Sequence, residues 1–399
     1  MRQLLRHRDA RLLVAAQTLS AFGDWAMLIV LAVWMKSLTG SSAAAGLTFF
    51  VFGAGSLTAP AAGLLADRVR RRPLMIWVNV LLGGSVLLLL LVHDRSDAWL
   101  IYLVALLYGI GGTVYFPART ALLRVMLPEE LLADANGALS ASREGLRIIA
   151  PLAGAGLYAW VGGGSVAILD SATFFGSVVF LARMRVVEPR PEPAQHHFLR
   201  EVTAGFRHIR ATPALRQVLV GLTVAMLVIG FSETLIFFVI AALGKSPSFF
   251  GVFSTIQGVG SIAGGLTAAT LVRRFGEVTV VGLGLAAFAV ADLALIAPSL
   301  PVVALAGPLA GIGVAWAIVG YSTVLQTRTP LVVQGRVASA ADLAFSTAQT
   351  ASIATGAALS TIVDWRLLFV VMAVVVFSSA GWMLTRRESD APAPATIEA

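Results

Sequence analysis

Long apolar runs separated by short polar connections dominate the hydropathy pattern of this chain. A membrane-spanning helix needs about 20 mostly apolar residues, and twelve runs satisfy that requirement. They lie near residues 12–35, 43–66, 74–92, 98–122, 138–160, 165–182, 215–243, 249–272, 278–297, 301–325, 338–362 and 366–385. The pattern therefore predicts an all-α membrane protein with twelve transmembrane helices, here called spans 1 to 12 in chain order.

One long polar interruption, residues 183–214, divides these runs into two sets of six. It begins with a proline-rich segment, and it continues with apolar residues at helical spacing between arginines: Phe198, Val202, Phe206 and Ile209. This spacing predicts an amphipathic helix on the inner leaflet within a cytoplasmic linker. The linker separates two six-helix bundles, residues 1–182 and 215–385, and residues 386–399 are predicted to be a disordered cytoplasmic tail.

The two halves resemble each other in sequence. Residues 120–157 align without gaps on residues 322–359, and the segment Phe22-Gly-Asp24 faces Phe231-Ser-Glu233. A repeat of this kind predicts two pseudo-symmetric bundles, as in transporters built from internal repeats.

The distribution of charge sets the topology. Charged residues make up 13% of the chain, against roughly 25% in a globular protein. Of 29 Lys and Arg, only Lys36, Arg95, Lys245 and Arg366 fall outside the segments that are cytoplasmic when both termini are inside. The positive-inside rule therefore predicts that orientation, and the positive net charge needs no nucleic-acid partner. The arginine-, alanine- and glycine-rich composition is typical of a GC-rich bacterium, which suggests the bacterial cytoplasmic membrane.

Several classes of chemistry find no support in the sequence. The chain has no cysteine and no histidine within a predicted span, so we expect neither a metal site nor an intramembrane enzyme. His196 and His197 lie adjacent in the linker, where a solvated segment is the better interpretation than a metal site. No P-loop sequence occurs, so ATP is not expected as the energy source. We therefore predict a protein that is not an enzyme and has no cofactor.

The connection between spans 2 and 3 holds four arginines and one carboxylate in a stretch too short for a domain: Gly63, Asp67, Arg68, Arg70, Arg71 and Arg72. The spacing G-x-x-x-D-R-x-x-R-R resembles the signature of the major facilitator superfamily of secondary transporters. That family usually has glycine where this chain has Arg70. The alternative interpretation is a basic turn that only sets the topology.

In that family the glycine allows close helix packing, while the aspartate and arginines lock the two halves together on the cytoplasmic side. The resemblance therefore implies a cytoplasmic gate. We expect Asp342, at the start of span 11, to meet the hairpin from Asp67 to Arg72. We also expect Glu144 on span 5 to meet Arg273 or Arg274 after span 8. Arg119 and Arg124, late in span 4, either pair with Asp67 or extend to the lipid headgroups.

Two carboxylates lie near the middle of predicted spans, Asp24 on span 1 and Glu233 on span 7. Such a group is costly in the bilayer unless it faces a cavity or a partner. By resemblance, spans 1, 4, 7 and 10 line the central cavity of the family, so both residues are predicted to couple transport to protons. The alternative is a permanently neutral or paired structural acid. Asp170 and Asp292, on spans 6 and 9, are predicted to have interfacial or structural roles.

The predicted cavity walls are aromatic and polarisable, which suits an amphipathic or lipophilic substrate. They comprise Gln17, Phe22, Trp25 and Met27 on span 1, Tyr108 and Tyr115 on span 4, Phe237 on span 7, and Trp316 and Tyr321 on span 10. Each residue taken singly fits lipid contact or helix packing better than ligand contact, so the prediction rests on the composition of the set.

Span 5 contains Ala150-Pro151-Leu-Ala-Gly154-Ala-Gly156, which resembles a helix-bend element of the antiporters of the superfamily, with two glycines replaced by alanine. The chain as a whole is similar to the drug and proton antiporter branch that includes macrolide and siderophore exporters. The resemblance implies a monomeric exporter of small amphipathic molecules that exchanges them for protons. The alternatives keep the fold but move lysophospholipids or other lipids, or import a metabolite.

Overall fold

Helices make up the regular structure of the protein in a computed structural model, which describes residues 7–58, 69–188 and 198–386. No strand occurs in these ranges. The first half contains α1 (Arg8–Thr39), α2 (Ser42–Ala54), α3 (Arg71–Leu87), α4 (Ala98–Met126), α5 (Glu129–Val161) and α6 (Gly163–Ala182). Short 3-10 turns extend α2 through Thr58 and α3 through Leu91.

The second half begins with α7 (Phe198–Ala211), the predicted amphipathic helix of the linker. It continues with α8 (Pro213–Ile229), α9 (Ser232–Ala242), α10 (Phe249–Phe275), α11 (Glu277–Ala294), α12 (Leu300–Thr327), α13 (Leu331–Leu359) and α14 (Trp365–Thr385). The chain turns by 112° between α7 and α8. Gly205 and Ile209 of α7 are buried, and Gly205 packs against the backbone of Arg336 on α13. Contact with the inner leaflet stays a prediction.

The helices lie where the sequence predicts the twelve spans. Helices α1 to α6 correspond to spans 1 to 6, α8 and α9 together form span 7, and α10 to α14 correspond to spans 8 to 12. Within the described ranges, eight helices are long and apolar enough to cross a membrane alone, or nine if α7 and α8 count as one bent span. The all-α, twelve-helix prediction is confirmed.

Three spans differ from their predicted limits for physical reasons. Helices α5 and α13 begin at Glu129 and Leu331, several residues before the apolar runs, because a helix can continue past the bilayer with polar residues. Span 7 is broken between Ile229 and Ser232. There the backbone N–H groups of Phe231 and Thr234 donate to carbonyls three residues earlier, at 3.0 Å each, so the α-helical ladder is interrupted.

The chain divides into two compact units. One comprises residues 1–195 with 244–255, and the other comprises residues 196–243 with 256–399. The first unit thus includes the start of α10, where Thr255 donates a hydrogen bond of 3.0 Å to the Ile148 carbonyl on α5.

Each unit has the same pattern of helix neighbours, as a duplicated bundle requires. In the first unit α1 packs on α5 and α6, while α3 packs on α4 and α6. In the second unit α8 and α9 pack on α13 and α14, while α11 packs on α12 and α14. Span for span these are the same pairs, which confirms the two pseudo-symmetric bundles.

Glycine contacts repeat between the units at the level of single residues. Gly109 on α4 packs so closely on α2 that a Cβ atom would collide with the Phe52 carbonyl oxygen. Gly311 on α12 meets the Gln257 carbonyl oxygen of α10 in the same way. Spans 1 and 7 also end alike, with Gly40 at φ 72° and Gly244 at φ 66°, a conformation that other residues rarely adopt.

We expect Gly109→Leu to destabilise the first bundle. The side chain must displace the α2 backbone, and overpacking of this kind costs about 1–3 kcal/mol. Gly84→Leu is the matched control, because no atom lies within 4 Å of a Cβ built at this exposed position on α3. Denaturant titration of both variants in detergent gives the free energies of unfolding. Equal stabilities would show that α2 and α4 do not depend on this close approach.

The chain lacks cysteine, so single-cysteine labelling can test the predicted orientation directly. Ser96 is exposed between α3 and α4, and Gln326 is exposed near the end of α12. With both termini inside, a membrane-impermeant maleimide should label Ser96→Cys in intact cells and Gln326→Cys only after permeabilisation. The reverse result would invert the topology.

Candidate functional site

A cavity of about 300 Å³ lies inside the first unit and is lined by all six of its helices. Its wall is built from Gln17, Ser20, Ala21, Asp24, Trp25, Leu28, Phe52, Val78, Asn79, Leu82, Tyr108, Gly111, Gly112, Tyr115, Phe116, Arg119, Leu139, Ser142, Arg143 and Phe174. Most of these side chains are apolar or aromatic, while the charged ones are confined to Asp24, Arg119 and Arg143.

Asp24 lies on the α1 side of the cavity, with its carboxylate half-buried. The hydroxyl of Ser20, one turn earlier, lies 3.4 Å from Asp24 Oδ2 and donates to it. The preceding residue, Gly23, is where α6 comes closest to α1, since a Cβ atom there would collide with Asp170 and Thr173. A larger residue at position 23 would therefore push Asp170 away from Asp24.

A second carboxylate, Asp170 on α6, is fully buried beside Asp24. Its Oδ2 accepts a hydrogen bond from the Tyr108 hydroxyl, and its Oδ1 accepts one of 3.3 Å from Thr173 Oγ1. Asp24 and Asp170 are close enough to interact electrostatically. From the sequence, Asp170 is expected to have an interfacial or structural role, and its proximity to Asp24 is not predicted.

The opposite charge is found at another part of the cavity wall. Arg119 on α4 and Arg143 on α5 both line the cavity and lie close to one aromatic ring. Their guanidinium carbons are 5.1 Å and 5.9 Å from the centroid of Phe116. Tyr108 and Arg119 are eleven residues apart on α4, or about 16 Å along the axis at about 1.5 Å per residue. Tyr108, which donates to Asp170, is therefore about three helical turns away from Arg119.

The structure places the predicted cavity residues of the first half in two environments. Gln17, Trp25, Tyr108 and Tyr115 line the cavity. Phe22 is half-buried on α1 and does not line it. Met27 is fully buried in an apolar core cluster, so it packs between helices where the sequence analysis placed it on the cavity wall.

The predicted cavity residues of the second half lie within the second unit. Phe237 is buried. The indole nitrogen of Trp316 donates to Thr267 Oγ1 at 2.9 Å, and Tyr321 packs edge-on against Phe345 with ring centroids 5.2 Å apart. These contacts join helices of one bundle, and a role in substrate binding stays a prediction for all three.

Glu233 occupies the first turn of α9, directly after the break in span 7. Its side chain is half-buried, and no group in the described ranges donates a hydrogen bond to its carboxylate. Asp292 on α11 is buried, and its Oδ2 lacks a partner among the described residues. Among the described residues, neither Glu233 nor Asp292 has a carboxylate partner like the one that Asp24 has in Asp170.

Part of the predicted cytoplasmic gate lies outside the described residues, namely Gly63, Asp67, Arg68 and the side chain of Glu144. Asp342 is exposed on α13. Arg273 donates to Thr270 at 3.2 Å, and Arg274 lies 5.2 Å from the centroid of Phe275. The pairings proposed between these residues stay predictions.

Arg72 makes contacts within the first unit that the sequence did not predict. Its guanidinium donates to the carbonyls of Leu181 and Ala182, at 2.8 Å and 2.5 Å, at the C-terminus of α6. Glu188 in turn accepts from the backbone N–H groups of Arg71 and Arg72, at 2.6 Å and 2.8 Å, at the start of α3. Opposite charges thus cap two helix ends, in the sense that the helix dipole favours.

The helix-bend element of span 5 allows close contact with α1. Helix α5 continues through Pro151 without a break. A Cβ atom on Gly154 would lie 2.6 Å from the Ala26 carbonyl oxygen. The element thus brings α5 against the helix that carries Asp24.

In the described ranges, no group of three His, Asp or Glu is arranged to hold a metal ion.

Curated relatives of this chain include transporters with different substrates. Over 186 residues it is 27% identical to macrolide efflux protein A of Enterococcus faecalis, a match covering 46% of this chain and 56% of the relative. Over 149 residues it is 31% identical to lysophospholipid transporter LplT of Salmonella arizonae, covering 37% of this chain and 36% of the relative. The chain therefore spans less than two thirds of the length of either relative.

A solved structure shows the same fold. The chain superposes on a bacterial homologue of the iron transporter ferroportin in its inward-facing state with a TM-score of 0.75, at 15% identity, over 94% of this chain and 98% of that chain. The family model of the Major Facilitator Superfamily matches residues 13–244 and 222–399, which together cover nearly the whole chain. The chain therefore belongs to the Major Facilitator Superfamily, as a multi-pass membrane transporter.

Proposed function

We propose that this transporter exports small amphipathic or lipophilic molecules by alternating access, in exchange for protons. One observation carries the proposal: Asp24 lies close enough to the buried Asp170 for their charges to interact, and it faces a cavity lined by all six helices of the first bundle. A site of this kind brings a proton carrier and a substrate into the same space.

Charge repulsion explains why the carboxyl pair suits proton exchange. Two carboxylates held together in a low-dielectric site repel each other, so ionising both is unfavourable. The pair is therefore expected to hold a proton when the cavity contains no other positive charge. Tyr108 and Thr173 hold Asp170 in place by hydrogen bonds. Asp24, with only the weak bond from Ser20, is the member of the pair that can exchange its proton with the cavity.

The shape and lining of the cavity favour an amphipathic substrate. Trp25, Phe52 and Phe174 offer large apolar surfaces, and small-molecule sites typically combine such surfaces with a few polar groups. Export is supported by the macrolide efflux relative and by the close contact of Gly154 with α1. We place the protein in the bacterial cytoplasmic membrane as a monomer with both termini inside.

Glu233 is proposed to carry a proton in the second bundle. It is the repeat counterpart of Asp24, and the break in span 7 leaves its carboxylate without a donor among the described residues. Gly230, just before it, packs on Gln349 and Ser352 of α13. A change in the charge of Glu233 is therefore positioned to act on the packing of α13.

A second candidate function is transport of a lysophospholipid. The lysophospholipid transporter relative and the apolar cavity favour it. The two functions differ in their energy source. In liposomes without any gradient, movement of a fluorescent lysolipid by the wild-type protein would support lipid transport, whereas movement of a soluble amphipathic dye only with a proton gradient would support export.

We expect Asp24→Asn to abolish proton-driven transport while substrate binding persists, because asparagine keeps the shape but cannot exchange a proton. In inverted vesicles, dye accumulation and lumenal pH are followed together. Coupled dye uptake should fall by about tenfold or more, equivalent to about 1.4 kcal/mol. Exchange of dye for dye at equal pH should be retained.

Asp94→Asn is the matched control for that experiment. Asp94 lies in the connection between α3 and α4, outside the membrane spans, where hydrogen bonds from the Ser96 hydroxyl and backbone N–H lower its pKa. This variant should transport normally. If the wild-type protein moved dye at the same rate with and without a pH gradient, proton exchange would be excluded. The fold assignment would not be affected.

Tyr108→Phe is expected to destabilise the protein, because it removes the donor that satisfies the buried Asp170 carboxylate. Leaving such a group without its partner costs about 1–3 kcal/mol, or more for a charged group. Tyr102→Phe is the control, since it loses a bond of 3.1 Å to the Ala44 carbonyl from a half-buried position. Unfolding in detergent should show the larger loss for Tyr108→Phe. A smaller loss than in the control would mean that the bond from Thr173 is enough to hold the Asp170 carboxylate.

A further inference from the structure

Two arginines on the cavity wall have no role in the proton exchange proposed above. Arg119 projects from α4 and Arg143 from α5, and both line the same cavity as Asp24. Each guanidinium lies within 6 Å of the centroid of Phe116, at 5.1 Å and 5.9 Å. Two cations therefore lie near one aromatic ring. The ring attracts each guanidinium, but the two positive charges repel each other.

No carboxylate in the described ranges compensates for these charges. Neither arginine makes an ion pair there, and the buried Nε atom of Arg119 lacks an acceptor. The Asp170 carboxylate accepts from Tyr108, which is about 16 Å away along α4 from Arg119 at about 1.5 Å per residue. The donors of this arginine pair are thus available to a group that enters the cavity.

The chemistry of the guanidinium group specifies what that group is. Its planar set of N–H donors matches the oxygen atoms of a carboxylate or phosphate, and such charge-assisted bonds are stronger than neutral ones. An anion placed between two guanidinium groups also removes their mutual repulsion. Apolar side chains also line this cavity, among them Val78 and Leu82 on α3. A ligand that fits both parts has an anionic head and an apolar body.

We propose that Arg119 and Arg143 bind a carboxylate or phosphate group of the substrate, so that the transporter selects amphipathic anions. The assignment rests on the proposed function, since it names the substrate class of the same cavity. It also assigns the two tasks to different side chains: the arginine pair holds the anionic head, while Asp24 exchanges the proton.

The test uses purified full-length protein in nanodiscs of neutral lipid. The probes are dansyl-labelled aminooctanoic acid, its neutral methylamide and dansyl-labelled diaminooctane, which share an apolar body and differ in charge. Wild-type protein should bind the anionic probe most tightly. Arg119→Gln and Arg143→Gln should each weaken that probe by about tenfold and leave the neutral probe unchanged, while Arg119→Lys should retain part of the preference.

Arg124→Gln is the matched control, because Arg124 is exposed on the same helix and does not line the cavity. It should bind all three probes like wild type. The proposal would be overturned if Arg119→Gln weakened binding of the anionic and neutral probes equally and Asp67→Asn had the same effect. That result would show that Arg119 pairs with the carboxylate of the hairpin and not with the substrate. Wild-type protein that binds the cationic probe most tightly would overturn it as well.

Two further measurements locate the source of the anion and separate this proposal from the export function. Displacement of the anionic probe by dodecyl phosphate but not by lysophosphatidylglycerol supports a soluble substrate. Displacement by both supports a site that also accepts lipid headgroups, and displacement by neither contradicts an anion site. Absence of proton-driven movement of all three probes in liposomes would count against the export function, while the binding measurements still decide the role of the arginines.

Discussion

The structure depends on one constraint: in the hydrocarbon interior no water is available, so each polar group must find its partner within the protein. The backbone meets this demand by forming helices. Side chains meet it locally, as where Asp170 accepts from Tyr108 and Thr173. The exceptions are therefore informative. Asp24, Arg119 and Arg143 carry charge toward a cavity, and a charged group in the membrane is tolerated chiefly where a cavity or partner receives it.

The sequence was sufficient to predict the fold because the relevant signals are local. Apolar runs give the spans, and the distribution of arginine gives the expected orientation. The limits of α5 and α13 could not be read from hydropathy, since helices continue into water with polar residues. The break in span 7 was missed for a related reason. Gly230 and Ser232 can both occur within a helix, so the sequence does not mark the break. Gly230 packs closely on α13, a contact that is visible only in the structure.

The candidate site was predictable only in part. Asp24 stands out because a carboxylate within an apolar run is costly unless it faces a cavity or a partner. Asp170 is equally conspicuous in sequence, but the face on which it lies depends on how α6 packs on α1. The small residue Gly23, directly before Asp24, was the available signal of that contact. Met27 shows the converse problem, since an apolar residue on the right helix has no feature that separates cavity wall from core.

The caps formed by Arg72 and Glu188 connect α3, α6 and the beginning of the linker through charges near the aqueous surface. Dissolved salt screens exposed charges over roughly 8–10 Å at about 0.1–0.15 M. It screens buried groups much less, such as the hydrogen bonds of Asp170 with Tyr108 and Thr173. Rising ionic strength should therefore loosen the linker attachment before it affects the interior of the bundle. The stability of the first bundle near the aqueous surface thus depends on salt concentration, whereas the stability of its buried interior does not.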